Sequence, residues 1–294
     1  MARTDLHETD SLPTGVDPDG LAEIALTVAG EAAHLIVAER PRDLGVAETK
    51  SSATDIVTVM DQRSQDLLLA RLGELRPQDG FAGEERGGRT GESGITWVVD
   101  PIDGTVNYLY AIPAYAVSVA AVVGDPTTDG AWHPVAAAVI NPVTGERFTA
   151  SLGGGAWRAV GDEPPRRLQV GETALAQALC GTGFGYDADR RAWQAAVLTD
   201  VLPRVRDIRR LGSAALDLCR VADGSLDVYY ERGLNPWDFA AGWLVATEAG
   251  AVVTDLAGGA PRADLTIAGA PGLHAELQGV LEHSVERVGP ERVR

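Results

Sequence analysis

Cysteine is nearly missing from this chain, which holds only Cys180 and Cys219. Two cysteines make no disulfide framework, and a reduced cytoplasm is the simplest setting for them as small buried apolar side chains. Positive charge is in deficit too. Lys and Arg number 25 against 42 Asp and Glu, a net charge of −17. That excludes a protein that grips nucleic-acid phosphates directly, because such proteins need a basic surface. No apolar run approaches the roughly 18 residues of a spanning helix, so no membrane role is expected. Met1 to Gly20 lacks the basic start and apolar core of a signal peptide. An acidic protein also repels anionic small molecules, so a phosphate-bearing substrate would need cations in the site itself.

What is present is a chain of 294 residues, 45% hydrophobic. That suits one large domain or two smaller ones sharing a core. It is organised around Trp97-Val-Val-Asp100-Pro-Ile-Asp103-Gly-Thr105-Val-Asn107. The apolar run reads as a buried strand that stops at Asp100-Pro101, and Asp103-Gly104-Thr105 forces a turn. Two carboxylates brought so close repel unless protonated or bridged by cations. Hard oxygen ligands of this kind suit Mg2+. The Gly104 and Thr105 amides would serve a phosphate if a short helix starts there.

Along the chain, residues 1–17 read as a disordered tail. A helix is expected from Asp17-Pro18 to about Glu39, with His34 a satisfied or surface residue rather than a ligand. Ile56 to Val59 reads as a strand, with Asp61 capping a helix to about Leu75. Arg86 to Gly94 reads as a mobile loop. Residues from Tyr115 to Trp157 suit antiparallel strands, and Gly153 to Gly155 is a tight turn rather than a phosphate cradle, for it lacks the P-loop lysine. After a surface turn at 161–166 the pattern becomes α/β. Ser213 caps a helix that Gly224 ends, and Asp238 lies in the first turn of another, where capping alone would explain it. Adjacent Glu84 and Glu85 read by themselves as a solvated surface pair.

Asp100-Pro-Ile-Asp-Gly-Thr-Val-Asn107 resembles the signature of the inositol monophosphatase family of Mg2+-dependent, lithium-sensitive phosphatases. Lys50-Ser-Ser-Ala-Thr-Asp55…Asp61, Gly83-Glu84-Glu85 and Trp237-Asp238-Phe-Ala-Ala-Gly242 are similar to further family elements in the same order. The resemblance implies a layered α-β-α-β-α sandwich of α+β and α/β character. An N-terminal half, 18–162, would carry an antiparallel sheet and a C-terminal half, 163–294, a mixed one. It implies two to three Mg2+ ions held by Glu84, Asp100, the Ile102 carbonyl, Asp103 and Asp238. Thr105 and Asp61 would activate the attacking water, with Glu85 assisting. Asp103, Gly104, Thr105, Ala214, Glu231 and Asp238 would meet the substrate. The implied reaction is hydrolysis of inositol 1-phosphate in a homodimer. Sister enzymes cut histidinol phosphate, fructose 1,6-bisphosphate or 3′-phosphoadenosine 5′-phosphate, and some bacterial relatives act as regulatory protein partners.

Overall fold

The computed structural model describes residues 12, 16–49, 56–85 and 88–291. The expected tail except for 12, 16 and 17, the 50–55 segment and positions 86 and 87 lie outside the described residues. In chain order the described elements are α1 (Pro18–Ala38), β1 (Glu48–Thr49), β2 (Ile56–Val57), α2 (Val59–Leu75), β3 (Gly80–Gly83), β4 (Ile95–Asp103), α3 (Thr105–Leu109), β5 (Ala116–Gly124), β6 (Trp132–Asn141), β7 (Glu146–Ser151), β8 (Gly155–Val160) and β9 (Arg166–Arg167). There follow β10 (Leu179–Thr182), α4 (Ala188–Val201), β11 (Asp207–Arg209), α5 (Ala214–Asp223), β12 (Val228–Glu231), α6 (Pro236–Glu248), β13 (Val252–Thr254), β14 (Thr266–Gly269) and α7 (Pro271–Val288).

Strands β3 to β9 form a seven-stranded sheet in sequence order. A five-stranded sheet runs β11-β10-β12-β14-β13, parallel about β10 and antiparallel about β14. Helices α1 and α2 cover the outer face of the large sheet, α5 and α6 fill the space between the sheets, and α4 and α7 cover the far side. These are the five layers the resemblance implies.

Composition explains the stacking. Strands β5 and β6 are buried on both faces and carry runs of Val and Ala, which leave room for a helix on either side. Helix α1 buries Leu21, Ala25, Val28, Ala32 and Ile36, a stripe at helical spacing. By length and composition alone α1 could cross a membrane, which tempers the expectation that no stretch comes near a span; its apolar side lies on β5 and β6. His34 is exposed. At Gly242 a Cβ would stand 2.7 Å from the Leu218 Cβ, so glycine permits the close α5–α6 approach.

Several expectations need correction. Strand β4 does not stop at Asp100 but runs through Pro101 to Asp103. Its register with β5 shifts between Asp100 and Asp103, and this bulge absorbs a proline that has no N–H for the ladder. The β3–β4 pair is parallel, so the large sheet is not wholly antiparallel. It also continues through β9 to Arg167. The presumed mobile loop is pinned at Arg89, which exchanges backbone hydrogen bonds with Phe81 at 2.9 Å. The N–H groups of Gly153 and Gly155 donate to the Glu248 carboxylate at 2.8 and 2.9 Å, so the glycine turn is satisfied from within the fold.

Candidate active site

The bulge at the end of β4 sets the geometry. Asp100 and Asp103 are buried, and the Ile102 N–H donates to Asp100 Oδ1 at 3.0 Å. Gly104 follows at φ 96°, where a Cβ would meet the Ala114 and Gly212 carbonyls at 3.0 Å. Both the left-handed backbone and the space require glycine. The chain then turns into α3, and Asn107 Nδ2 donates to Ala114 O at 2.6 Å and Leu211 O at 2.7 Å. That amide ties the turn to the loop before α5.

From α5, the Ser213 hydroxyl donates to Asp103 Oδ2 at 2.6 Å and the Ala215 N–H to the same oxygen at 2.8 Å. The helix start is thus aimed at a carboxylate. From α6, Asp238 Oδ2 accepts the Asn235 N–H at 2.6 Å, closing a capping box. The capping expectation and the ligand expectation for Asp238 therefore coexist. One carboxylate oxygen each from Asp100, Asp103 and Asp238 lies within 4.8 Å of the others.

Asp61 is a related case. Thr58 rather than Asp61 is the N-cap of α2, and Asp61 closes the capping box from the third helical position. Its Oδ2 accepts the Thr58 N–H at 2.8 Å and hydroxyl at 2.6 Å. Its Oδ1 lies 2.9 Å from the Thr105 hydroxyl, which also lies 3.1 Å from the Ile102 carbonyl. Ser64, one turn along α2, donates to the Pro101 carbonyl at 3.1 Å, which ties the helix to the acidic turn.

The acids are crowded electrostatically. Burial, then the charges of Glu84, Asp103 and Asp238, push Asp100 well above the usual carboxylate range. Burial lifts Asp103 to about 7 against the Ser213 and Ala215 hydrogen bonds. Burial and then Glu84 raise Asp238 well up. Burial lifts Asp61 to about 6, opposed by its Thr58 bonds. Among the described residues no Lys or Arg forms an ion pair with Asp100, Asp103 or Asp238. Each pair of ionised carboxylates within 4.8 Å repels by at least about 3.5 kcal/mol at an effective dielectric of ~20. Such a site either holds protons or holds cations.

Glu84 stands outside the tight group of three but hydrogen-bonds Asp100 and bears on all of them. Glu85 is tied in by its N–H, which donates to Gln65 Oε1 at 2.8 Å. Ala214 is the buried first residue of α5, beside Ser213. Glu231 is the last residue of β12 rather than following it, and accepts the Tyr229 phenol at 2.7 Å. Sequence reasoning missed the roles of Ser213 and Ala215 toward Asp103, the Asn107 tether, and the buried Asp217. For Asn107 alone a local signal existed, its place in the Asp100–Asn107 motif.

A layered α+β fold gathering buried acids at a bulged strand end, as here, defines a class of phosphomonoester hydrolases. The profile of the inositol monophosphatase family matches residues 17–288, and the chain belongs to that family. It is 45% identical over 285 residues to inositol-1-monophosphatase SuhB of Mycobacterium tuberculosis strain H37Rv, covering 90% of this chain and 94% of that protein. It is 36% identical over 242 residues to a protein named Nus factor SuhB of Pasteurella multocida, covering 81% of this chain and 86% of that one. The solved structure of Mycobacterium tuberculosis SuhB superposes with a TM-score of 0.75 at 40% identity, over 94% of this chain and 99% of that one. The protein is accordingly a phosphomonoester hydrolase.

Proposed function

We propose that the protein hydrolyses inositol 1-phosphate to myo-inositol and phosphate, with Mg2+ held by Glu84, Asp100, the Ile102 carbonyl, Asp103 and Asp238. The observation that carries this reading is the convergence of Asp100, Asp103 and Asp238, with no ion pair to a Lys or Arg among the described residues. The donor set is all oxygen, which fits a hard divalent ion. When bound, such ions neutralise the phosphate and acidify a water for attack.

The chain's own groups do the rest. The Thr105 hydroxyl, donating toward Asp61, keeps a lone pair free to accept a proton from the attacking water. Asp61 is the final acceptor in that relay, and its three protein hydrogen bonds hold the carboxylate in place. The Gly104 and Thr105 amides give donors for the phosphate oxygens. Ser213 and Ala215 hold Asp103 by one oxygen and so leave the other free for a ligand. At the leaving-group end, Glu231 and the Ala214 backbone meet the alcohol's hydroxyls. No covalent intermediate is required.

Released phosphate measured across inositol 1-phosphate, histidinol phosphate, fructose 1,6-bisphosphate and 3′-phosphoadenosine 5′-phosphate tests the substrate. Preference for any of the last three would overturn the inositol assignment. Glu231→Gln should change the choice among esters more than Mg2+ binding, and loss of Mg2+ binding would move Glu231 to the metal side. Asp100→Asn should lose most turnover, whereas near-normal activity in saturating Mg2+ removes it from the ligand set. The reading includes a cytoplasmic homodimer, supported by exposed apolar residues at Tyr110, Ile112 and Val143. A protein-binding role is the second reading, suggested by the relative named a Nus factor. A full acid set favours the enzyme, since a binding module has no use for it.

A further inference from the structure

Asp217, in the first turn of α5, is 1% exposed, and neither carboxyl oxygen has a hydrogen-bond partner among the described residues. A buried carboxyl without partners is costly to keep unless something completes it. Its surroundings say what. Asp217 Oδ1 lies 3.8 Å from the point a Cβ would take at Gly181, and Tyr229 Cδ2 lies 3.1 Å from the same point. The carboxyl, the phenol ring and the Leu226 side chain, whose Cδ1 is nearest at 2.7 Å, therefore surround one spot on β10. Just past the end of β10, a Cβ at Gly183 would overlap the Glu231 carboxylate. Two glycines thus make room in succession for Asp217, Tyr229 and Glu231.

The proton count gives this row a direction. Tyr229 has one hydroxyl proton, and it goes to Glu231 Oε2 at 2.7 Å. The phenol oxygen can then only accept. An ionised Asp217 offers it nothing, whereas a protonated Asp217 offers a donor. Burial and the charges of Glu231 and Asp103 favour the protonated acid, against Arg210 and Arg220.

We propose that Asp217 is a positioning residue: as a neutral acid, through one bridging water, it donates to the Tyr229 phenol, which donates to Glu231. The relay holds the Glu231 carboxylate with its remaining lone pairs turned toward the hydroxyls of the leaving alcohol. The proposal rests on the phosphatase reading above and names how that site selects polyol esters.

The test compares inositol 1-phosphate with phenyl phosphate, whose leaving group has no further hydroxyls to read. Asp217→Leu should raise KM for inositol 1-phosphate about tenfold, the worth of one misaimed hydrogen bond to a charged group. KM for phenyl phosphate should stay within about twofold, with kcat little changed on either ester. Asp217→Asn, which supplies an N–H donor, should rescue most of the loss. Tyr229→Phe should reproduce the selective rise, and the Asp217→Leu/Tyr229→Phe double variant should be no worse than either single one. An unchanged KM, an equal rise on both esters, or additive losses would overturn the relay. Should Asp217→Leu lack the native near-UV CD spectrum, Tyr229→Phe decides, and the absence of its selective rise overturns the proposal. Failure of the unaltered protein to cut either ester in Mg2+ is a separate result that sinks the phosphatase reading instead.

Discussion

Asp103→Asn should make the metal-free protein more stable at neutral pH while ending its catalysis. Burial lifts the folded-state pKa of Asp103 from 3.8 to about 7. The unfolded chain ionises near its ordinary value of about 3.9. Well below pH 4 both states are protonated and nothing is lost, and near pH 4 the loss is only about 0.4 kcal/mol. As pH rises from about 4 to 7 the unfolded state sheds this proton while the folded state keeps it, so stability falls, and above 7 the full penalty applies. At ~1.4 kcal/mol per unit the penalty is on the order of 4 kcal/mol. Asparagine cannot ionise, and its amide oxygen still accepts from Ser213 and Ala215, so about 2–4 kcal/mol should be regained above pH 7. Urea unfolding in chelator at about pH 4 and about pH 8 measures it: nearly equal midpoints at the lower pH, a clearly higher one for the variant at the upper. Excess Mg2+ should reverse the order, because only the unaltered protein gains stability by binding. A variant less stable than the parent at about pH 8 in chelator would refute the reasoning, showing that hydrogen bonds outweigh the buried charge.

Thr105→Val should cut kcat on the order of 10²-fold while Thr105→Ser retains most of it, since the proton relay needs the hydroxyl and not the methyl. In the pH profile, kcat/KM should fall on the acid side as Asp61 protonates near 6, because the relay needs its carboxylate; a flat profile through that range contradicts the assignment. Gly104→Ala should cost about 2–3 kcal/mol in unfolding free energy, from a left-handed backbone and two crowding carbonyls. An unchanged urea midpoint would show that the turn yields.

Local features were the most legible in the sequence. Ser213 and Gly224 bound α5 as N-cap and left-handed C-cap, because capping is decided within one turn. Asp61 and Asp238 illustrate an ambiguity that local pattern cannot resolve. Each closes a capping box with its own helix, while Asp61 also meets the Thr105 hydroxyl and Asp238 the acids of the β4 bulge. The hydrogen bonds of Ser213 and Ala215 to Asp103 span 110 and 112 residues, and no spacing rule reaches so far. The strand through Pro101 escaped because a bulge, not the proline, decided where pairing ends. Strand β13, three residues long, carries too little pattern to be seen before β14 pairs with it. The orphaned Asp217 looked like any helix residue until its surroundings were known.

Acids remote in sequence meet at the β4 bulge, and their proposed role is to hold divalent ions. Titrating metal-free protein with Mn2+, read by electron paramagnetic resonance, tests it most directly, with Asp238→Asn as the comparison. The unaltered protein should bind Mn2+ that excess Mg2+ displaces, and the variant should lose most of that binding. Equal Mn2+ binding by both proteins, or none by either, would contradict that role.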